Sequence, residues 1–219
     1  MPISRYIIGK YCSLIKGLRG GERLMSNELL VALQERLDAL LERFASKRRE
    51  EEIEIADLVK QVRKEDLRAT GVLKSLVRTG DPHAIDNLKD LVHDGYSSAI
   101  EILKDLVREG DHDAIKILKD LVNEGNFIAA KVLQDLVREG NRHAIDILKD
   151  LMREGDHDAI KILKDLVREG NRHAIDILKD LVREGDSDAI KIFQEALKCE
   201  KVRPLLEEII KGWEEALES

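Results

Sequence analysis

The sequence predicts an all-α fold, an α-solenoid of about nine 15-residue single-helix repeats stacked in two layers, with helical caps at both ends. Three observations carry this expectation. Glycines fall at Gly80, Gly95, Gly110, Gly125, Gly140, Gly155, Gly170 and Gly185, always 15 apart, and a fixed period of this kind marks stacked identical units. Each unit carries an apolar face too wide for one neighbour. The segments flanking the array break the pattern, as terminal repeats must if the core is not to be left open.

Aligned on these glycines, nine 15-residue units begin at Asp66, Asp81, Tyr96, Asp111, Asn126, Asn141, Asp156, Asn171 and Asp186. Asp or Asn at position 1 suits the capping of the first-turn amides, and Gly at position 15 suits the left-handed residue that ends a helix. The body between them, about 13 residues, makes a helix roughly 20 Å long. Positions 4, 5, 7, 8, 11 and 12 (Ala144, Ile145, Ile147, Leu148, Leu151 and Met152 in one copy) fall within about 160° of the helical wheel. An isolated helix of this length is marginal in water, so stacking must bury the faces in one continuous core. Two kinds of unit alternate imperfectly: those at 141 and 171 begin "NRHAID", while those at 111 and 156 begin "DHDAIK". The differences sit at positions 2, 3 and 6, on the polar arc.

"GDPHAIDNLKDLVHDG", residues 80–95, resembles one helix of the short HEAT-like repeats, through Gly80, Asp81, Pro82, Ala84, Ile85, Leu88 and Leu91. Armadillo repeats contain a similar stretch. The likeness spans residues 66–200 on a generic amphipathic pattern, and the chain departs from it in lacking Pro at its other joints and in using one 15-residue helix per unit. The resemblance implies a binding solenoid and names no partner.

Before the array, residues 25–65 read as an N-terminal helical cap. Leu30, Leu33, Leu37, Leu40 and Phe44 recur at alternating steps of three and four, a seam that either folds onto the first repeats or pairs two copies as a short coiled coil, making a homodimer. A charged joint at "KRREEE" is expected next, then a helix presenting Ile55, Leu58, Val59 and Val62. Residues 1–24 form a basic extension, either disordered or a membrane-surface helix, and Met25 is an alternative start. Residues 201–219 read as a C-terminal cap helix opened by Pro204, with Leu205, Leu206, Ile209, Ile210 and Trp213 covering the last repeat.

A net charge of −7 argues against a general nucleic-acid binder, which needs a basic surface to displace counterions from phosphate. Lys and Arg recur at positions 9 and 13, but Asp at 10 and Glu at 14 interleave with them on the same helix, so self-neutralisation is expected. No apolar run is long enough to span a membrane. Two cysteines without ligand spacing point to a reduced, cytoplasmic setting, and few Cys and Gln beside many ionisable residues lean towards a thermophilic source. His83, His143 and His173 share position 3, and His112 and His157 share position 2. Without an i, i+4 pair they read as surface rather than metal ligands. No nucleophile–base arrangement or phosphate loop is present, so neither catalysis, a cofactor nor a metal is expected.

The informative units are the deviant ones. Tyr96 replaces a capping Asp or Asn, and two units later Phe127 and Ile128 replace the usual polar pair. Because units two apart lie in one layer, these helix starts should adjoin. Tyr96, Phe127 and Ile128 then form an apolar contact spot on a charged face, or else pack locally against a neighbouring joint. The expected function is a non-enzymatic scaffold or adaptor that binds another protein through these residues, with Leu30, Leu33 and Leu37 as a second contact candidate. Alternatives are a nucleic-acid-binding repeat protein, or an engineered or consensus array without a natural partner.

Overall fold

A cap and a stop in every 15 residues produce a helix in every 15 residues. The computed structural model describes residues 27–218, and the expectations for residues 1–24 lie outside them. The described residues form eleven helices and no strand: α1 (Asn27–Val62), α2 (Leu67–Arg78), α3 (Pro82–His93), α4 (Ser97–Glu109), α5 (His112–Asn123), α6 (Phe127–Arg138), α7 (Arg142–Arg153), α8 (His157–Glu169), α9 (Arg172–Glu184), α10 (Ser187–Ala196) and α11 (Arg203–Glu218). Helices α2 to α10 are the nine repeats.

Every joint between repeats except the one at Tyr96 is closed by one residue serving two helices. In the joint between α4 and α5, the Gly110 amide donates to the Val107 carbonyl at 3.1 Å and the Asp111 amide donates to Leu106 at 2.9 Å, the paired bonds of a Schellman stop. Asp111 then accepts the Ala114 amide on its own carboxylate at 2.9 Å, which caps the next helix. The repeat glycines sit at φ between +74 and +85, a region where an L side chain is strained.

Within the array each helix packs on the next and the second next, and from α2 to α9 also on the third next. Two layers produce this pattern: α2, α4, α6, α8 and α10 lie side by side in one, and α3, α5, α7 and α9 in the other. Ala at position 4 and Leu at positions 8 and 11 are fully buried through the middle of the array, as in Ala129, Leu133 and Leu136. Position 5 differs from the wheel's reading: Ile85, Ile100, Ile115, Ile145 and Ile160 are only half-buried.

The chain divides into a compact unit ending at Glu51 and a second beginning at Glu52. Helix α1 runs unbroken through the expected joint at "KRREEE", because no Gly or Pro lies between Asn27 and Val62 to stop it. Its end carries a further, disguised repeat. Ile55, Val59 and Val62 are buried with the repeat core, and Glu65 takes the glycine's place at φ +61. The same two stop bonds form, Glu65 to Val62 at 2.9 Å and Asp66 to Gln61 at 3.2 Å. In the first unit Leu37 is half-buried, while Leu40 and Leu41 are exposed. The side chains of Leu30 and Leu33 lie outside the described residues.

Candidate interaction surface

Side-by-side packing of every second helix places position 13 of one unit near position 14 of the unit two later, 31 residues on. This spacing builds a ladder of ion pairs along each layer. In the first, Lys74 reaches Asp105 at 2.8 Å and Arg78 pairs with Glu109; Arg108 then meets Glu139 at 3.0 Å, Arg138 meets Glu169 at 3.0 Å, and Lys164 meets Glu195 at 2.6 Å. In the second, Arg63 faces Asp94 at 3.8 Å, Lys89 meets Glu124 at 2.7 Å, Lys119 meets Glu154 at 2.8 Å, and Arg153 meets Glu184 at 2.9 Å. Hydrogen bonding to Lys74 holds the Asp105 carboxyl below its usual range, and Arg78 does the same for Glu109. The reciprocal bonds raise Lys74, Lys89 and Lys119. The basic residues are therefore neutralised mainly between helices. Some also pair within one, as Arg138 does with Asp135 at 3.0 Å.

Position 3 lies over the glycine joint 33 residues earlier, and its identity decides how tightly. A Cβ on Gly110 would lie 2.7 Å from the His143 Nε2, and one on Gly95 would lie 3.0 Å from the Ile128 Cδ1, whereas one on Gly125 would meet nothing. His143 and His173 thus fill joints, which gives the "NRHAID" units a physical role that the polar-arc reading did not assign. Among the described residues no group of three His, Cys, Asp or Glu side chains could hold a metal ion.

The three apolar deviants occupy different depths. Ile128 is half-buried against Gly95, and the next residue in the chain is Tyr96. Tyr96 opens α4 without a side-chain cap and is half-buried against the core, with the Arg63 guanidinium 5.4 Å from its ring centroid. Ser97 beside it donates to Glu65 at 3.0 Å. Phe127, next to Ile128, is 76% exposed. Local packing therefore accounts for Ile128 and for much of Tyr96 but not for Phe127. Its position is His or Arg in the units of α5, α7, α8 and α9.

A groove between α9 and α11 has no counterpart in the sequence reading. Ile175, Leu205, Ile209, Trp213 and Ala216 make its apolar lining; Arg172, Asp176, Lys179 and Arg183 stand on its α9 side and Glu208 on its α11 side. Trp213 packs its ring on Phe193 at a centroid distance of 5.5 Å, while its indole N–H is buried without an acceptor among the described residues. Ile175, closed over by the cap, is the one position-5 isoleucine that the described structure buries. The sequence pattern marks Leu205, Ile209 and Trp213 as an apolar face of the cap, and the structure sets them along this groove. No helix among the described residues is long and apolar enough to cross a membrane. The chain is an all-helical repeat solenoid; no family model matches it, and no curated protein or solved structure matches it either.

Proposed function

We propose that the protein is a non-enzymatic scaffold of HEAT-like kind, working in the cytoplasm, which binds another protein at the edge formed by Tyr96, Phe127 and Ile128. The observation that carries this reading is the 76% exposure of Phe127. A phenyl ring at a helix start with a good cap, Asn126 to the Ala129 amide at 2.9 Å, adds nothing to that cap. Flanked by the half-buried Ile128 and Tyr96, it has the makeup of an interface anchor, since aromatic side chains dominate binding energy where a partner desolvates them. The ladder supports a protein partner over nucleic acid: the repeating Lys and Arg side chains are engaged by carboxylates and would have to break those pairs to reach phosphate.

The test is Phe127→Arg, which restores the usual repeat chemistry. Capture from cell extract with the native chain and with the variant should differ by the loss of one partner, corresponding to at least ~30-fold weaker binding for an anchor worth about 2 kcal/mol. Thermal stability should change by less than about 0.5 kcal/mol, as for an exposed site. An unchanged set of captured proteins refutes the proposal.

A further inference from the structure

The ladder ends abruptly. In its layer Lys89, Lys119, Lys149 and Arg153 each find a carboxylate two units on, Lys149 reaching Asp180 at 2.6 Å, yet Lys179 and Arg183 of α9 have no ion-pair partner among the described residues. Helix α11 faces α9 across the groove and carries an acid at the ladder's spacings. Glu214 stands 31 residues after Arg183 and 35 after Lys179, the two spacings the ladder uses, but it pairs with neither and is exposed. Instead the groove intervenes between the two helices.

Helix α11 has unmet needs of its own. Leu206, Ile210, Trp213 and Leu217 follow steps of four, three and four, one stripe along the helix. Leu206 is buried in the core, whereas Leu217 at the far end is 88% exposed. Glu214 and Glu218 flank Leu217, and their i, i+4 spacing matches that of Lys179 and Arg183. The same chain thus presents an apolar groove with the unpaired cations Lys179 and Arg183 at one end of its α9 edge, beyond Asp176 and Glu208, and an exposed leucine flanked by unpaired carboxylates.

We propose that this end of the solenoid is a self-association surface whose occupant is a second copy of the chain. Leu217 of each copy enters the other's groove, and Glu214 and Glu218 complete the ion-pair ladder at Lys179 and Arg183. Two identical surfaces, each with both halves of the contact, close a two-fold dimer. Charge complementarity selects the partner: the groove demands an apolar residue flanked by two acids one turn apart, and the last turn of α11 supplies that pattern. The contact is independent of the Phe127 edge.

The test is a charge-swap experiment read by sedimentation velocity. The native full-length chain should dimerise reversibly at about 100 µM, a regime suited to micromolar affinity, with the Trp213 emission shifting to the blue as concentration rises. The variant Lys179→Glu/Arg183→Glu and the variant Glu214→Lys/Glu218→Lys should each weaken dimerisation about 10- to 100-fold. Arg183, Glu214 and Glu218 are exposed and Lys179 is half-buried, and far-ultraviolet circular dichroism verifies that both variants remain folded. Mixed in equal amounts, the two variants should form a heterodimer, because both of its contacts again join opposite charges. A native chain that stays monomeric overturns the proposal, and so does a dimer that survives either swap and must form elsewhere, such as along α1. Failure of the mixture to recover association overturns it equally.

Discussion

Gly110 and Gly125 close equivalent joints with φ of +82 and +74, so replacing each by Ala separates the backbone's demand from that of the neighbouring layer. Holding an L residue in this conformation costs about 1–2 kcal/mol, and the stiffer unfolded chain returns about 0.4–1. Gly125→Ala, whose Cβ enters open space, should therefore lose about 1 kcal/mol. At Gly110 the new Cβ would lie 2.7 Å from the His143 Nε2 and 3.2 Å from Cε1, so the imidazole must leave its seat. Forcing a side chain about 30° off its rotamer costs of order 0.5–1.5 kcal/mol, which brings Gly110→Ala to about 2. For a protein of this size the losses correspond to roughly 2–4 °C and 4–8 °C in Tm. Urea denaturation of both variants, with His143→Ala added to each, completes the measurement. The histidine change should recover about 1 kcal/mol beside Gly110→Ala and nothing beside Gly125→Ala. Equal losses at the two glycines, or no coupling to His143, refute the account of position 3 as a filler of joints.

Asn141→Ala removes the cap that accepts the Ala144 amide at 3.0 Å and should cost about 1 kcal/mol in the same denaturation assay; no loss would mean that the joint's backbone bonds alone hold the start of α7. The ladder predicts a flat stability profile bounded on both sides. Asp105, Glu109, Glu184 and Glu195 have lowered pKa values from hydrogen bonds to Lys74, Arg78, Arg153 and Lys164, so their contribution is present above the unfolded carboxylate range and is lost as pH falls through the folded values, below about pH 4. Lys74, Lys89 and Lys119 are raised by their carboxylate partners, so theirs is present below the unfolded lysine value and is lost as pH rises beyond about 10.5. These pairs are partly exposed, so about 1 M KCl should lower Tm at pH 7; a Tm indifferent to salt there would count against a stabilising ladder.

The limits of what the sequence revealed follow from one physical distinction. Helix stops, caps and the innermost core positions depend on residues within one unit, so the wheel and the 15-residue period recover them: Gly110, Asp111 and Leu118 act within a few residues of themselves. Most of what depends on the helix two units away was hidden, the adjacency of the helix starts at Tyr96 and Phe127 excepted. The wheel places Arg138 beside Asp135 of its own helix, and that pair exists, but only the stacked layer adds Glu169. Position 3 appears polar on the wheel because the wheel contains no neighbouring glycine joint. The disguised repeat at the end of α1 escaped for the complementary reason, since Glu65 performs a glycine's role without being glycine and a search on glycine spacing passes over it. Phe127 was legible as a break in pattern, whereas the groove against α11 was not, because it joins a repeat helix to one outside the 15-residue period. A repeated sequence thus advertises its local rules and conceals its lateral ones. The ladder is such a lateral rule, and it gives the end of the array its chemistry: any helix that extends the layer past α9 must bring two acids one turn apart. The chain writes that pair once more, at Glu214 and Glu218, on a helix where neither acid pairs with Lys179 or Arg183. Within one chain the last rung is left open, and between two copies it closes twice.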